Sequence, residues 1–498
     1  MADLDHAFGS HSPHAPDIEL TPAEARRILF GITLAMMIAA LDKTIVATAL
    51  PTIGRELGDP AQLTWVMTAF ALAATVVGPL YAKFSYVYGR RVAFLVSIGL
   101  FTAGSIACAL SPNMLVLIIA RACQGLGGGG LVLLGQTIIG LIFPPKTRTR
   151  YEAFISVMYA IAGVAGPLLG GYIAEHLNWS VIFWINPPIG LLALWLIYSL
   201  LRKVPAREHH HRLDVAGVVL LVVGTLALLL ALNWGGVRYD WDSTQVLGLF
   251  AVFAAFMSFF LWRERSAAEP LLPFSVMSNR VILMATLSCM LAVGTGLGLT
   301  IFTPIYFESM RQLTPTLSGV ALIPFMLGVS IGAAISGTVA GRITHYKRLP
   351  IAGLAVACAA MMLLAADPDG LPFALMEALL SLTGMGYAMI VPVALICVQN
   401  AAPVGKLGTA TAVLIFMRQL GGATTIAVFG AILFSQLHAS GHLPVIAGVD
   451  FTKTNADFAA IYTWIFAVAA LAFLAALVAL VKMTELPLRE SENPASRG

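Results

Sequence analysis

MMIAALDKTIVATALP, Met36 to Pro51, is an apolar run with two charges, Asp42 and Lys43, side by side within it. It belongs to a longer apolar segment, 28–50, and a bilayer core takes ~20 mostly apolar residues to cross. Segments of similar length recur at 63–83, 93–110, 114–142, 153–175, 181–201, 215–234, 245–262, 281–307, 316–340, 350–366, 371–398, 408–434 and 460–481. The 498-residue chain is 59% hydrophobic and 11% charged, against about a quarter charged in a soluble domain. The apolar runs are long and do not alternate, which predicts helices rather than barrel strands. The expectation is an all-α membrane protein with fourteen transmembrane helices.

The distribution of Lys and Arg sets the expected orientation. The N-terminal tail, the even-numbered turns and the C-terminal tail hold 22 of them, and the odd-numbered turns hold four: Arg55, Arg238, Arg311 and Lys453. The positive-inside rule puts both termini in the cytoplasm. Topology accounts for the net charge of +4, so no nucleic-acid partner is needed. The polar opening, MADLDHAFGSHSPHAPDIELTPAEARR, lacks an apolar h-region and reads as a cytoplasmic tail rather than a cleavable signal peptide. Compact loops point to a bacterial inner membrane. The five cysteines all fall inside spans and show neither metal spacing nor a disulfide framework.

The expected organisation is a tail at 1–27, a six-helix half at 28–201, two inserted helices at 202–265, a second six-helix half at 266–481 and a tail at 482–498. A faint internal echo supports two halves. Span 2 ends GPLYAKFSYVYGRR (Gly78 to Arg91) and span 10 ends GTVAGRITHYKR (Gly337 to Arg348), each with a glycine, a basic residue and a second basic cluster after a short turn. Duplicated halves build transporters with a site near the midplane between the repeats. Span 4 carries RACQGLGGGGLVLLG and span 5 carries GVAGPLLGG, Gly163 to Gly171. Glycines allow close helix approach or bending, and Pro167 removes a backbone donor. Close packing and a flexing contact between the halves are both compatible with these runs.

Together these residues resemble the major facilitator superfamily, and within it the fourteen-helix drug:proton antiporter group. LDKTIVATALP (Leu41 to Pro51) resembles that group's LDxTIVNVALP pattern in the first helix. RACQGLGGG (Arg121 to Gly129) resembles RxxQGxGGG in the fourth, and GVAGPLLGG the antiporter motif of the fifth. WSVIFWINPPIG (Trp179 to Gly190) resembles WRWxFxINxPxG at the sixth. The match is strong in the N-terminal half and rests mainly on span count in the other. The resemblance implies a proton-coupled antiporter, not an enzyme, that exports lipophilic drugs or toxic compounds by alternating access without a cofactor. Its implied partners are a small lipophilic substrate, protons and the lipid bilayer, with a periplasmic adaptor left open. Two departures stand out. The turn between helices 2 and 3 has Tyr86 and Val87 where the family has Asp and Arg, and Ser180 and Val181 replace the Arg and Trp of WRW.

Charges inside spans are the candidates for chemistry, because each costs about 2.5–3.5 kcal/mol near the bilayer centre and marks a functional hypothesis. Asp42 lies ~21 Å along its helix from the cytoplasmic edge. Burial raises a carboxyl pKa and a nearby cation lowers it, so a balanced pair can exchange a proton. Arg121, ~10 Å into antiparallel span 4 from the outer edge, is the natural partner at similar depth, and the resemblance gives it a role in relaying protonation. Gln124 is one turn further. A buried structural ion pair is the alternative reading. Lys43 is ~100° round the helix from Asp42; it either snorkels or faces the cavity and repels cationic substrates. Arg418 in FMRQLGG, Glu377 and Glu308 complete the candidate substrate set. Gly163, Gly166, Pro167, Gly170 and Gly171, with Gly89, Arg90 and Arg91, are the candidate hinge and gating residues.

EHHHRLD (Glu208 to Asp214) reads as a solvated basic loop rather than a metal site. No Walker loop gives ATP hydrolysis a seat. Phe70, Tyr159, Phe302, Tyr306, Tyr387 and Met389 are candidates for an apolar cavity lining, which suits bulky lipophilic compounds better than sugars. A dedicated exporter of one metabolite, lipid or siderophore, and a membrane sensor or structural protein that has lost transport, are the competing readings.

Overall fold

A computed structural model describes residues 21–57, 62–143, 145–198, 214–236, 238–266, 278–313, 315–340, 345–403, 406–439 and 458–487, together with 276 and 343. Its described part is almost wholly helical. Fourteen helical units follow in chain order: α1 Pro22–Leu57, α2 Leu63–Tyr88, α3 Arg90–Ala109, α4 Met114–Ile142, α5 Pro145–His176, α6 Val181–Tyr198, α7 Val215–Trp234, α8 Thr244–Ser266, α9 Arg280–Arg311, α10 Leu317–Val339, α11 Arg348–Ala366, α12 Phe373–Ala401, α13 Leu407–Ala439 and α14 Phe458–Lys482. Thirteen of them are long and apolar enough to cross a membrane among the described residues. The remaining unit, α5, is 32 residues long and packs against α1 and α10. The expected count of fourteen is therefore met by thirteen candidate spans and this one further helix.

Helices are the only open-ended way to hide backbone polar groups in lipid, and local signals set their ends. Asn113 accepts from the Val116 amide at 3.0 Å and starts α4. Asp214 accepts from Gly217 at 3.1 Å and starts α7. The Asn279 side chain accepts from Val281 and Ile282 and starts α9. Such caps satisfy amides that have no intrahelical partner. Between α2 and α3 the chain turns at Gly89, φ 86° and ψ 150°, a conformation essentially restricted to glycine.

Packing separates the bundle into three main cores. One is built from α9 to α14, and two from α1 to α6. The glycine run of α4 serves close packing here: a Cβ on Gly125 or Gly129 would strike the α2 backbone, and one on Gly127 the backbone of α3. Ser97 of α3 donates to the Gly127 carbonyl at 2.7 Å across that contact. Large apolar side chains such as Trp195, Trp262 and Leu471 remain more than 60% exposed; on a membrane protein this is the lipid-facing surface.

The α7–α8 hairpin sits beside the bundle. Leu221 and Phe260 pack on Val413 of α13, and Trp234 meets Trp65 of α2 edge-on at 6.0 Å. At the hairpin's open end the Arg263 Nε donates to both Asp214 oxygens, at 2.9 and 3.0 Å. Burial pushes the Asp214 carboxyl up, but the Arg263 guanidinium and the amides of Gly217 and Ala216 outweigh it and hold the group below its ordinary value.

The starts of α1 and α13 and the ends of α4, α6, α12 and α14 share one end of the bundle, called here the terminal end. There Gln399 of α12 donates to the Gln136 carbonyl of α4 at 3.4 Å and to Thr411 Oγ1 of α13 at 3.2 Å. Ala412 and Ile415 of α13 are buried in the core of the first half. The halves are thus sealed together at the terminal end. Residues 483–487 strap the same region: Tyr346 donates to the Leu486 carbonyl at 2.7 Å, Lys347 Nζ to that of Met483 at 2.6 Å, and Asn400 to that of Pro487 at 3.0 Å.

Candidate functional site

Asp42 lies where α1 crosses α5. The Thr44 hydroxyl donates to the carbonyls of Leu41, at 2.9 Å, and Ala162, at 3.0 Å. A Cβ on Gly166 would collide with the Thr44 side chain, so this glycine permits the crossing two residues from the acid. Gly163, by contrast, has open space where a Cβ would stand. Gly170 is buried. The helix runs without a break through Pro167 and Gly171.

The Asp42 carboxylate is 1% exposed and accepts hydrogen bonds from donors on two other helices. Arg121 Nη1 of α4 lies 2.5 Å from Oδ2. Gln124 Nε2 of α4 donates to Oδ1 at 2.8 Å, and Asn186 Nδ2 of α6 to the same oxygen at 3.1 Å. Ser105 of α3 closes the network: its Oγ accepts from Asn186 at 2.8 Å and Gln124 at 3.3 Å, and donates to the Phe183 carbonyl at 2.9 Å. Arg121 Nη1 also donates to Gln124 Oε1 at 2.6 Å, and its Nε to the Val66 carbonyl of α2 at 3.1 Å. Its Nη2 has no hydrogen-bond partner among the described residues; the Phe70 ring, 4.4 Å from Cζ, and the Phe183 ring, 5.7 Å away, flank the guanidinium.

A buried pair of this kind is held by its geometry. The carboxylate accepts three hydrogen bonds as an anion. Were it protonated, the guanidinium would lose its counter-charge in a dry site, which costs several kcal/mol.

Sequence reasoning placed Asp42, Arg121 and Gln124 together by depth, and the structure brings them into contact. It missed Asn186 and Ser105. Asn186 carried a signal, an amide beside two prolines inside a span; Ser105 carried none, because a lone serine in a helix usually bonds its own backbone. Lys43 is half-buried with Nζ 5.8 Å from the Phe70 ring. Arg418 is half-buried on α13.

The other expectations fall elsewhere. Glu308 accepts from Ser318 at 2.8 Å at the far end of α9, and Glu377 is half-buried in the first turns of α12; neither joins the Asp42 network. Phe302, Tyr306 and Tyr387 are buried in the core of the second half, where Tyr387 stacks on Phe473 at 5.9 Å and Tyr306 donates to the Pro368 carbonyl. They fill helix contacts rather than face the space between the halves, because apolarity alone does not say which way a helix is turned. At the α2–α3 turn, Lys83 Nζ lies 5.7 Å above the Tyr86 ring and Arg91 Cζ 4.7 Å from the Tyr198 ring. Arg90 is half-buried. The residues 208–213, with the histidine run, lie outside the described residues. Among the described residues no group of three or more His, Cys, Asp or Glu could hold a metal.

The buried charge network thus lies inside the first six helices of a helical membrane bundle. The chain belongs to the major facilitator superfamily, whose family model matches residues 32–426. An uncharacterised MFS-type transporter of Mycobacterium tuberculosis strain H37Rv is 32% identical over 438 residues, covering 86% of this chain and 63% of the relative. The chain thus spans less than two thirds of that relative's length. The multidrug transporter protein MdtP of Bacillus subtilis is 32% identical over 409 residues, 82% of this chain and 75% of that protein. In three dimensions the chain is similar to the crystal structure of the human organic anion transporter MFSD10, with a TM-score of 0.64 over 93% of this chain and all of the other, at 17% identity. That likeness carries the fold alone.

Proposed function

We propose that this protein is a proton-coupled antiporter of the inner membrane, with both termini in the cytoplasm, that exports lipophilic compounds by alternating access. The observation that carries the reading is the buried Asp42–Arg121 pair, tied to α6 and α3 through Asn186 and Ser105. A proton on Asp42 removes the charge that holds α1 to α4, and substrate binding from the cytoplasmic side expels it. Sealing at the terminal end, with Gln399 against Gln136, makes this conformation the one closed toward the cytoplasm. The multidrug name of the Bacillus relative supports the substrate breadth. At the α2–α3 turn, contacts of Lys83 with Tyr86 and of Arg91 with Tyr198 take the place of the family's charge lock, so the substitution at 86 leaves the gate held.

Everted membrane vesicles energised with a proton gradient test the reading. A panel of lipophilic compounds is assayed with and without an uncoupler, for the wild type and Asp42→Asn. Uptake should collapse with the uncoupler and be absent in the variant, while the variant still folds. Undiminished gradient-driven uptake by Asp42→Asn sinks the proposal.

A further inference from the structure

Arg27 of α1 and Leu191, Leu194, Trp195 and Tyr198 of α6 line a cavity of about 460 Å³. The four α6 residues stand at i, i+3, i+4 and i+7, the spacing of a single helix face. From Leu191 to Tyr198 the stripe covers roughly 10 Å along the axis and ends with α6 itself, at the terminal end of the bundle. Leu191, Trp195 and Tyr198 are 59%, 66% and 47% exposed, so on a membrane-spanning helix this face meets lipid. Its inner part is aliphatic and its last turn aromatic, as where a helix leaves hydrocarbon for the headgroup layer.

Two arginines from other helices stand over that last turn. Arg27 Cζ lies 5.1 Å from the Trp195 ring, and Arg91 Cζ of α3 lies 4.7 Å from the Tyr198 ring. A guanidinium stacked on an aromatic face is held in place with its N–H donors still available. Arg91 Nε is buried and has no hydrogen-bond partner among the described residues. Among the same residues no salt bridge neutralises either arginine. Glu24, one turn before Arg27, accepts from the Thr21 amide at 3.1 Å. The groove therefore joins an aliphatic floor to two uncompensated positive charges at the helix end.

Each part of that pattern narrows the occupant. A guanidinium suits phosphate, which it can grip with two parallel N–H bonds. A soluble phosphate would leave the aliphatic stripe unused, and a zwitterionic lipid would bring a cation of its own toward the arginines. We propose that the groove is a binding site for one anionic phospholipid, its charged headgroup held by Arg27 and Arg91 and an acyl chain along Leu194 and Leu191. As a surface lipid site, it stands whether or not the protein exports drugs.

Native mass spectrometry of the full chain in detergent, titrated with phosphatidylglycerol or with phosphatidylcholine of identical chains, reads the affinity of the first lipid bound. Phosphatidylglycerol should bind about tenfold or more tighter. Arg27→Gln and Arg91→Gln should each weaken it about fivefold, the worth of one basic residue at an anionic lipid, and leave phosphatidylcholine nearly unchanged. Arg280→Gln, which removes an exposed arginine at the start of α9, should change neither. Leu191→Trp, which puts bulk into the stripe with both arginines intact, should also weaken phosphatidylglycerol. Three results would reduce the groove to unspecific annular lipid and overturn the proposal: equal affinity for the two lipids, an equal loss from Arg280→Gln, or a double Gln variant that melts like the wild type and keeps its preference. Displacement of phosphatidylglycerol by equimolar glycerol 3-phosphate would make bare phosphate the ligand and overturn it too.

Discussion

Removing Arg121 and Asp42 singly and together separates a structural pair from a working one. Both side chains are fully buried and bonded at 2.5 Å, so solvent screening offers no relief. Arg121→Leu strands the carboxylate with two neutral amide donors, and Asp42→Leu strands the guanidinium with Gln124 Oε1 and the Val66 carbonyl. Breaking one side of a buried pair costs about 3–5 kcal/mol, while replacing both partners by packed apolar groups is often neutral or stabilising. Independent losses would sum to about 6–10 kcal/mol. The double variant is instead expected within about 2 kcal/mol of the wild type, a coupling of at least ~4 kcal/mol. Thermal unfolding of the four proteins in one detergent, followed by loss of the monodisperse fraction, reads the order. The double should melt above both singles yet remain inactive in everted vesicles. A double variant as unstable as the summed singles would refute the reasoning, and so would a transporting one.

Other consequences follow from the packing. Gly166→Val drives a side chain into Thr44 where α1 crosses α5 and should lower the vesicle transport rate by more than tenfold; a variant of normal rate would show that this crossing need not stay tight. Gly89→Ala puts a Cβ on a backbone at φ 86° and should cost about 1–3 kcal/mol of stability, read as a lower melting temperature, whereas Gly248→Ala, with nothing within 4 Å of the added atom, should cost far less. Deleting residues 483–498 removes the strap over Tyr346 and Asn400, so buried Cys397 should react faster with a membrane-impermeant maleimide; an unchanged rate contradicts the strap's role. The Asp214 carboxyl is held below its ordinary value of 3.8, so its contribution is present above that value and fades as pH falls through the lower folded one. Asp214→Asn should therefore be less stable than the wild type near neutrality, and the difference should vanish in acid below the ordinary carboxylate range.

How much of this was legible in the sequence depends on what each residue had to reveal. The helices were readable because lipid forces long apolar runs, and the ends of α4 and α7 fell where Asn113 and Asp214 cap them. Asp42 and Arg121 were readable because a charge at depth is expensive, and a rise of ~1.5 Å per residue brings the two to one level. Facing was not readable. Helices apolar on all sides carry no periodic stripe, so Tyr306 and Tyr387 looked like cavity lining and prove to be core. Ser105 was invisible, and the role of Asn186 beside its two prolines unreadable, for a related reason: small uncharged polar residues cost little to bury, and only the geometry of four converging helices shows what they hold.

The claim on which the proposed mechanism rests is that the Asp42 carboxyl, packed against Arg121 in this conformation, becomes exposed and protonated in another. Labelling with dicyclohexylcarbodiimide, which modifies protonated carboxyls in apolar surroundings, followed by mass spectrometry of the peptide bearing residue 42, measures this directly on the membrane-embedded protein. Labelling should rise as pH falls and be suppressed by a transported compound. A carboxyl that stays unmodified at every pH at which the protein transports would contradict the account.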